Sequence, residues 1–326
     1  MNQLKRINSI CITVVVATIL GLSGCAIEET VTFTSEAGSA SEDKPNTGSN
    51  ALANSVDDNR ISAGQSNTCV IKPDGTVRCW GLNFLGSSPP LDLGTVSSVS
   101  TEYEHTCVIK TDGTVRCWGH DRYGETYVPS DLGEVSRIST AAFNTCAIKT
   151  DGTVRCWGDD SSGQSTPPTN LGKVTEISTR GNMTCAIQTG NTVQCWGHDT
   201  YGQVTPPANL GTVIGISIGG EFICAIKSDR NVQCWGYEGY NGQNIPPVDL
   251  GKVKSISAGY DQTCAIKTDD TVRCWGNIRD TPPSDLGSVS DISVSVEHTC
   301  AIKTDGTVRC WGKENYIQIM VPPELQ

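Results

Sequence analysis

Seven times along this chain two cysteines stand ten residues apart, and the second is followed at once by Trp-Gly. The pairs are Cys69/Cys79, Cys107/Cys117, Cys146/Cys156, Cys185/Cys195, Cys224/Cys234, Cys264/Cys274 and Cys300/Cys310, and all seven tryptophans of the protein are the ones that follow them. The first cysteines lie 38, 39, 39, 39, 40 and 36 residues apart. A near-constant period of this length marks one supersecondary unit stacked on copies of itself, as in a solenoid, a propeller or an array. Each unit must bury its apolar surface on its neighbours, so the repeat constrains the architecture before any single residue is interpreted.

The third copy, residues 145–158, reads Thr-Cys-Ala-Ile-Lys-Thr-Asp-Gly-Thr-Val-Arg-Cys-Trp-Gly. Two short β-favouring runs flank Thr-Asp-Gly, which is the pattern of a β-hairpin. A two-residue Asp-Gly turn would set Cys146 opposite Trp157. A three-residue loop, Thr150-Asp151-Gly152 with the glycine left-handed, sets Lys149 opposite Thr153, Ile148 opposite Val154 and Cys146 opposite Cys156. The second register is preferred. It brings both sulfurs to one face with Cα atoms about 4.5–5.5 Å apart, inside the span of about 4.4–6.8 Å that a disulfide bridges. The glycine slot holds Asn191, Arg230 and Asp270 in copies four to six. Asn and Asp accept a left-handed backbone, whereas Arg does so at roughly 1–2 kcal/mol, which leaves a different turn open to the fifth hairpin.

A third short strand precedes each hairpin. Its copies begin at Ile61, Val99, Ile138, Ile177, Ile216, Ile256 and Ile292, each followed by serine, with a valine three residues earlier in every copy but the first. After Trp-Gly comes a connection carrying Pro-Pro, or Val128-Pro129 in the second copy, and proline keeps that segment out of a central strand. Three strands cannot bury two faces alone, but seven copies arranged radially can, blade on blade. Val-x-x-Ile-Ser-Ala-Gly, His-Thr-Cys-Ala-Ile, Asp-Gly-Thr-Val-x-Cys-Trp-Gly and Tyr-Gly-Gln together resemble the repeat of the regulator of chromosome condensation family, from about residue 58 to the C-terminus. The resemblance implies a seven-bladed propeller. Repeats of 36–40 residues are shorter than the eukaryotic blades and are similar to bacterial members with three-stranded blades, among them a secreted β-lactamase inhibitory protein. The added cysteine pair departs from the family. The expected fold is therefore all-β: a seven-bladed β-propeller with three-stranded antiparallel blades and one disulfide in each.

Three segments are expected: a signal peptide over 1–24, a flexible Ser/Glu/Asn-rich tether over 25–57, and the propeller over 58–326. Lys5 and Arg6 precede a short apolar run from Ile7 to Leu22, and Leu22-Ser23-Gly24-Cys25 resembles a bacterial lipobox. About 16 apolar residues fall short of the roughly 17–25 that span a bilayer, which argues against the rival of a transmembrane anchor; an ordinary secretory signal is the other rival. The lipoprotein reading places a lipid on Cys25 and the protein at the bacterial cell envelope, anchored in the outer membrane. In an exported chain, evenly paired cysteines form a disulfide framework. The rival, metal, lacks ligands: two cysteines with no nearby histidine make half a zinc site at most. Without its signal the chain loses Lys5 and Arg6 and carries −13 rather than −11. That charge excludes nucleic acid as a partner, because phosphate contacts need Lys and Arg. The lysines and arginines of the hairpins read as solvated charge that guards strand edges.

No catalytic constellation, phosphate loop or cofactor motif is legible. His105 and His298 share one repeat slot and His120 and His198 another, which favours structural roles. The expected protein is a monomeric, non-enzymatic binding module whose partner is a protein. The alternatives are an inhibitor of a secreted or periplasmic enzyme, and an enzyme whose site is assembled across blades. In a three-stranded blade the loop between the first two strands and the start of the post-tryptophan connection emerge together, opposite the hairpin turns. Apart from Phe33 and the tryptophans, every aromatic falls in or beside those loops: Phe84, Tyr103, Tyr123, Tyr127, Phe143, Tyr201, Phe222, Tyr237, Tyr240, Tyr260 and Tyr316. Aromatic loops on a rigid scaffold suit protein recognition, and these residues are the candidate binding surface. The shortened sixth connection should notch that face beside residues 277–280.

Overall fold

Each repeat folds into an antiparallel sheet of three strands, which in the third copy are Val135–Thr140, Asn144–Lys149 and Val154–Gly158. The computed structural model describes residues 59–82, 88–239, 241–277, 281–313 and 317–326, and in them seven such sheets follow one another. The expected signal peptide with Cys25, the tether, Phe84, Tyr240, Tyr316 and the notch at 278–280 lie outside the described residues.

The hairpin takes the three-residue loop. Lys149 N donates to Thr153 O at 2.8 Å, Gly152 N donates to Lys149 O at 2.8 Å, and Cys146 faces Cys156. All seven expected disulfides form within blades: Cys69–Cys79, Cys107–Cys117, Cys146–Cys156, Cys185–Cys195, Cys224–Cys234, Cys264–Cys274 and Cys300–Cys310. The expected spacing needs correcting in every one of them. Their Cα atoms are 4.0–4.1 Å apart, closer than about 4.5–5.5 Å, because the cysteines occupy the non-hydrogen-bonded pair, the tighter of the two in an antiparallel ladder. The two cysteines of a pair are not equally covered. The first, on the middle strand, is completely buried in every blade. The second lies on the outer strand, where Cys79, Cys117, Cys195, Cys234 and Cys310 are half-buried and only Cys156 and Cys274 are buried.

The aspartate of the turn fixes its shape: Asp151 Oδ1 accepts from both the backbone N and the hydroxyl of Thr153, at 2.9 and 2.6 Å. The same threonine bonds, made by Thr76, Thr271 and Thr307, hold the carboxyls of Asp74, Asp269 and Asp305 down at about 2.

The fifth hairpin does not use a different turn. Arg230 has φ 65° and repeats the bonding of the glycine hairpins, with Arg230 N to Lys227 O at 2.7 Å and Lys227 N to Asn231 O at 2.8 Å. The surrounding ladder outweighs the local strain. Arg230→Gly is therefore expected to stabilise the protein by about 1 kcal/mol, raising the thermal midpoint by about 2 °C. An unchanged or lower midpoint in calorimetry would show that the slot carries no strain.

The inner strand answers a puzzle in the sequence. Val-x-x-Ile places two apolar residues on opposite faces of a regular strand, since side chains alternate with period two. A register shift between Val135 and Arg137 inserts one extra residue, so Val135 and Ile138 are both buried in one cluster. The shift recurs in every blade but the first, whose shorter inner strand is Ile61–Ala63.

Blades meet in mixed layers. Cys107, Ile109 and Cys117 of the second blade pack on Val135, Ile138, Ala147 and Trp157 of the third. Cys69 and Cys79 likewise meet Trp118, Cys224 and Cys234 meet Trp275, and Cys264 and Cys274 meet Trp311. The same arrangement closes the circle, where Cys300, Ile302 and Cys310 of the seventh blade meet Ile61, Val70 and Trp80 of the first. Every disulfide thus lies between its own blade and the tryptophan of the next.

Two polar devices stitch the layers together. The serine of each inner strand accepts the backbone N–H of the residue just after the matching serine of the next blade: Ser62 from Thr101, Ser100 from Thr140, Ser139 from Thr179, Ser178 from Ile218, Ser217 from Ala258, Ser257 from Val294 and Ser293 from Ala63, at 2.9–3.2 Å. The second device is a buried Glu or Gln in the connection, whose main-chain carbonyl accepts the next tryptophan's indole N–H. Trp157 donates to Glu125 O, Trp196 to Gln164 O, Trp235 to Gln203 O and Trp275 to Gln243 O, at 2.8–3.0 Å. Trp80 donates to Gln318 O at 2.8 Å, so the tail after the last blade completes the joint to the first. The inner strands of all seven blades surround a central channel of about 650 Å³.

Candidate protein-binding face

The inner strand of each blade ends, and the outer strand also ends, at one rim of the propeller; the hairpin turns lie at the other. The second blade makes its inner turn in two residues, because Glu102 pairs with His105 and leaves only Tyr103 and Glu104 between them. The fourth blade makes the same turn with Gly181 at φ 54°. Tyr103 takes that left-handed place at φ 52°, a strain of roughly 1–2 kcal/mol for a residue with a Cβ. Its ring meets Phe143 of the third blade edge-on at 5.4 Å. Tyr123 reaches the same Phe143 at 5.2 Å, with its own ring 44 % exposed. Tyr201 and Tyr237 also pair between blades four and five, with rings tilted at 39° and centroids 4.7 Å apart, and Tyr201 remains 52 % exposed. Tyr260 is 56 % exposed, and its carbonyl accepts from Gly220 N of the preceding blade.

Two of the candidate residues stand elsewhere. Phe222 is fully buried, packed with Cys224, Ile226 and Trp275 between blades five and six. It opens a middle strand, and that slot points into the layer, so Phe222 belongs to the core and not to the surface. Tyr127 is 79 % exposed but lies beyond the buried Glu125, where the connection runs back along the outside of the blade towards the hairpin rim.

The charges of this face are mostly negative. Glu104, Asp121, Asp160, Asp199 and Glu238 are exposed or half-buried, against Arg122 and Lys313. Arg122 lies over the Tyr123 ring at 5.4 Å. Lys313 lies 4.0 Å from Glu297.

The repeat model described as "Regulator of chromosome condensation (RCC1) repeat" matches residues 59–87, 96–125, 135–164, 213–243, 253–277 and 289–318, more than half of the chain. The chain belongs to this family. The fourth blade, absent from the matched segments, still pairs its strands in the RCC1-repeat register, with Cys185 opposite Cys195. No curated protein matches the sequence. Among solved structures, the CRINKLY WD40 ectodomain of the Arabidopsis thaliana receptor kinase ACR4 is 22 % identical with a TM-score of 0.66, over 79 % of this chain and 96 % of that one. The ectodomain of the Physcomitrella patens receptor kinase CR4 is 23 % identical with a TM-score of 0.67, over 78 % and 72 %. Prp20p from Saccharomyces cerevisiae is 15 % identical with a TM-score of 0.51, over 79 % and 75 %. These likenesses are of fold.

At the loop rim, the channel of this RCC1-repeat propeller is crossed by one side chain that the sequence reading missed. Arg180 ends the fourth inner strand, and its Nη1 donates to Ala258 O at 2.9 Å and Val294 O at 3.5 Å, across the axis. Its Nη2 stands 3.2 Å from the carboxylate of Glu102 on the second blade. Burial pushes the Glu102 carboxyl up, and Arg180 opposes the shift. A signal was present in the sequence: the slot is Gly64, Ala141, Gly219, Gly259 and Ser295 in the other blades, so one acid and one base stand out among small residues.

The histidines divide by slot. His105 and His298 are buried between blades, with Nε2 at 3.0 Å from Thr145 Oγ1 and 2.7 Å from Thr68 Oγ1, and burial pushes both down to about 4. His120 Nδ1 lies 2.6 Å from the buried carboxylate of Glu125, and His198 Nδ1 lies 3.3 Å from Gln203 Nε2, the matching pair two blades on. On the hairpin rim, Lys303 and Lys72 pair with the turn aspartates beside them, and Arg155, Arg273 and Arg309 reach Asp131, Asp249 and Asp285. Among the described residues no group of His, Cys, Asp and Glu is placed to hold a metal.

Proposed function

We propose that this RCC1-repeat propeller is a non-enzymatic protein-binding module, held at the bacterial envelope by a lipid on Cys25, whose partner docks on the aromatic loop rim. The observation that carries the reading is the Tyr103–Phe143–Tyr123 cluster. Three rings from two blades gather at one rim on a frame stiffened by seven disulfides. Tyr103 is held there in a strained backbone conformation, and strain kept at a rim aromatic favours recognition over packing. Rigid Tyr and Phe rings offer contact area at small entropic cost. RCC1-like propellers commonly mediate protein binding, and the yeast Prp20p structure is described with that protein's binding to Gsp1p and histones. The carboxylates around the rings favour a partner with a basic surface, whose association slows as salt rises.

The partner is to be captured from the host envelope and binding measured with single variants. Alanine at Tyr103, Tyr237 or Tyr260 is expected to weaken binding about tenfold or more, and alanine at Lys149 or Lys303 to change it little. The reverse pattern places the interface on the hairpin rim. The anchor rests on Leu-Ser-Gly-Cys25 after a short apolar run. Cys25→Ser is expected to abolish incorporation of labelled fatty acid, and incorporation equal to the native chain would remove the anchor.

A further inference from the structure

Beneath the aromatic cluster a short chain of bonds crosses the joint between blades two and three. His105 Nε2 lies 3.0 Å from Thr145 Oγ1, Thr145 donates its only proton to Glu125 O at 3.1 Å, and Trp157 donates its indole N–H to the same carbonyl at 2.9 Å. With the threonine proton spent, the histidine must be the donor, so Nε2 carries its hydrogen and Nδ1 keeps a lone pair. Nδ1 is buried and has no hydrogen-bond partner among the described residues. The same groups hold the rings above them. His105 pairs with Glu102 and so closes the two-residue turn that carries Tyr103. The Glu125 carboxylate accepts from the backbone N of Tyr123 at 2.6 Å, and Thr145 stands two places after Phe143. Tyr103 and Tyr123 belong to blade two and Phe143 to blade three, so their contacts at 5.4 and 5.2 Å last only while this joint is closed.

We infer that this joint is an acid-operated latch under the docking rim, a reading that rests on the rim proposed above: neutral His105 keeps the three rings together, and its protonation lets blades two and three part. An ionised ring needs an acceptor at Nδ1, and the layer supplies none. Burial outweighs the charges around His105 and pushes it down to about 4; of those charges Glu125 and Asp121 favour the ionised ring and His120 disfavours it. Glu102, opposite on the inner strand, is engaged by Arg180 at 3.2 Å, and blade three meets the ring with the neutral Thr145. A histidine held neutral in this way supports the closed joint fully above its ordinary range, and that support is lost as pH falls towards the folded value. Acid sensitivity is not a requirement of the slot, because Asn67 and Gln262 reach the facing threonines at two other joints without titrating. A protein seated on rings from both blades binds the closed joint alone, so acid weakens its hold and its binding in turn keeps the latch shut.

The test is hydrogen exchange at the indoles of the full chain labelled with nitrogen-15, without a partner. The Trp157 indole N–H bonds across this joint, and that of Trp196 bonds to Gln164 O across the next, where the slot holds Asn144. Their ratio cancels the intrinsic effect of pH on exchange and reads local opening. From pH 7 to pH 5 exchange at Trp157 should rise about twentyfold relative to Trp196. His105→Asn, or His105→Gln if that variant does not fold, should flatten the ratio. Phe143→Ala removes both ring contacts and should speed Trp157 about tenfold at pH 7 while keeping the response to acid. A ratio that ignores pH in the native chain overturns the latch, as does an acid response that survives the loss of His105. A Trp157 rate unmoved by Phe143→Ala separates the rim from the joint and overturns it equally. None of these results touches the alanine measurements on Tyr103, Tyr237 and Tyr260, so the two readings fail separately.

Discussion

Arg180→Met is expected to lower the unfolding free energy by about 3–5 kcal/mol at neutral pH, because it leaves a buried carboxylate without its cation. Arg180 also satisfies the carbonyls of Ala258 and Val294, so blades two, six and seven lose a common contact. The sign of the pH dependence follows from Glu102. Burial raises its folded-state carboxyl above the unfolded value, and without Arg180 it rises further. A raised carboxyl favours the native state at low pH, so the deficit should shrink as pH falls through the folded value and widen above it. Adding Glu102→Gln should recover most of the loss. Denaturant titrations from pH 4 to 8 check this; a deficit under about 1 kcal/mol that ignores pH would sink it.

Replacing both Cys146 and Cys156 by alanine is expected to cost about 3 kcal/mol, within the roughly 2–5 kcal/mol found when native disulfides are removed. The sulfurs do more than shorten the unfolded chain. They pack with Leu171, Ile177 and Trp196 across the layer, so their loss also leaves a gap. Cys146 is completely buried, and in the native chain the bond should resist a soluble reductant until the layer opens. The half-buried sulfurs of Cys79 and Cys234 should be reached sooner than those of Cys156 and Cys274. A variant whose denaturant midpoint matches the native chain would show that the hairpin is held by its turn alone.

The blade was legible because its signals are local. Hairpin register and disulfide pairing follow from Asp-Gly spacing and the cysteine period, and the third strand from the serine-bearing segment repeated ahead of each hairpin. What the sequence hid is what the neighbouring blade decides. Phe222 reads as a loop aromatic, yet its slot points into the layer, as do Asn67, His105 and Gln262, which reach threonines of the next blade at 3.0–3.4 Å. The slot shows complementary pairing: where it holds Met183, the facing threonine is replaced by Ile223, and the two share one apolar cluster. Arg230 shows the opposite limit. Local propensity argued against its turn, and the ladder on either side overruled it. Arg180 was hidden because its partners lie 78 and 114 residues away, across an axis that exists only once the ring has closed.

The serine stitches all run in one rotational sense, each blade giving its hydroxyl oxygen forward and its backbone N–H backward. In symmetry terms the blade contact is heterologous: its two faces differ, and each fits only the other. Contacts of that kind make a closed ring when the rotation returns to its start and an open filament when it does not. Seven blades return, and the bond from Ala63 to Ser293 uses up the last pair of faces. A chain opened at that joint would carry one bare face of each kind, complementary to those on every other opened chain. Closure is therefore what keeps a sticky, directional unit from growing into polymer.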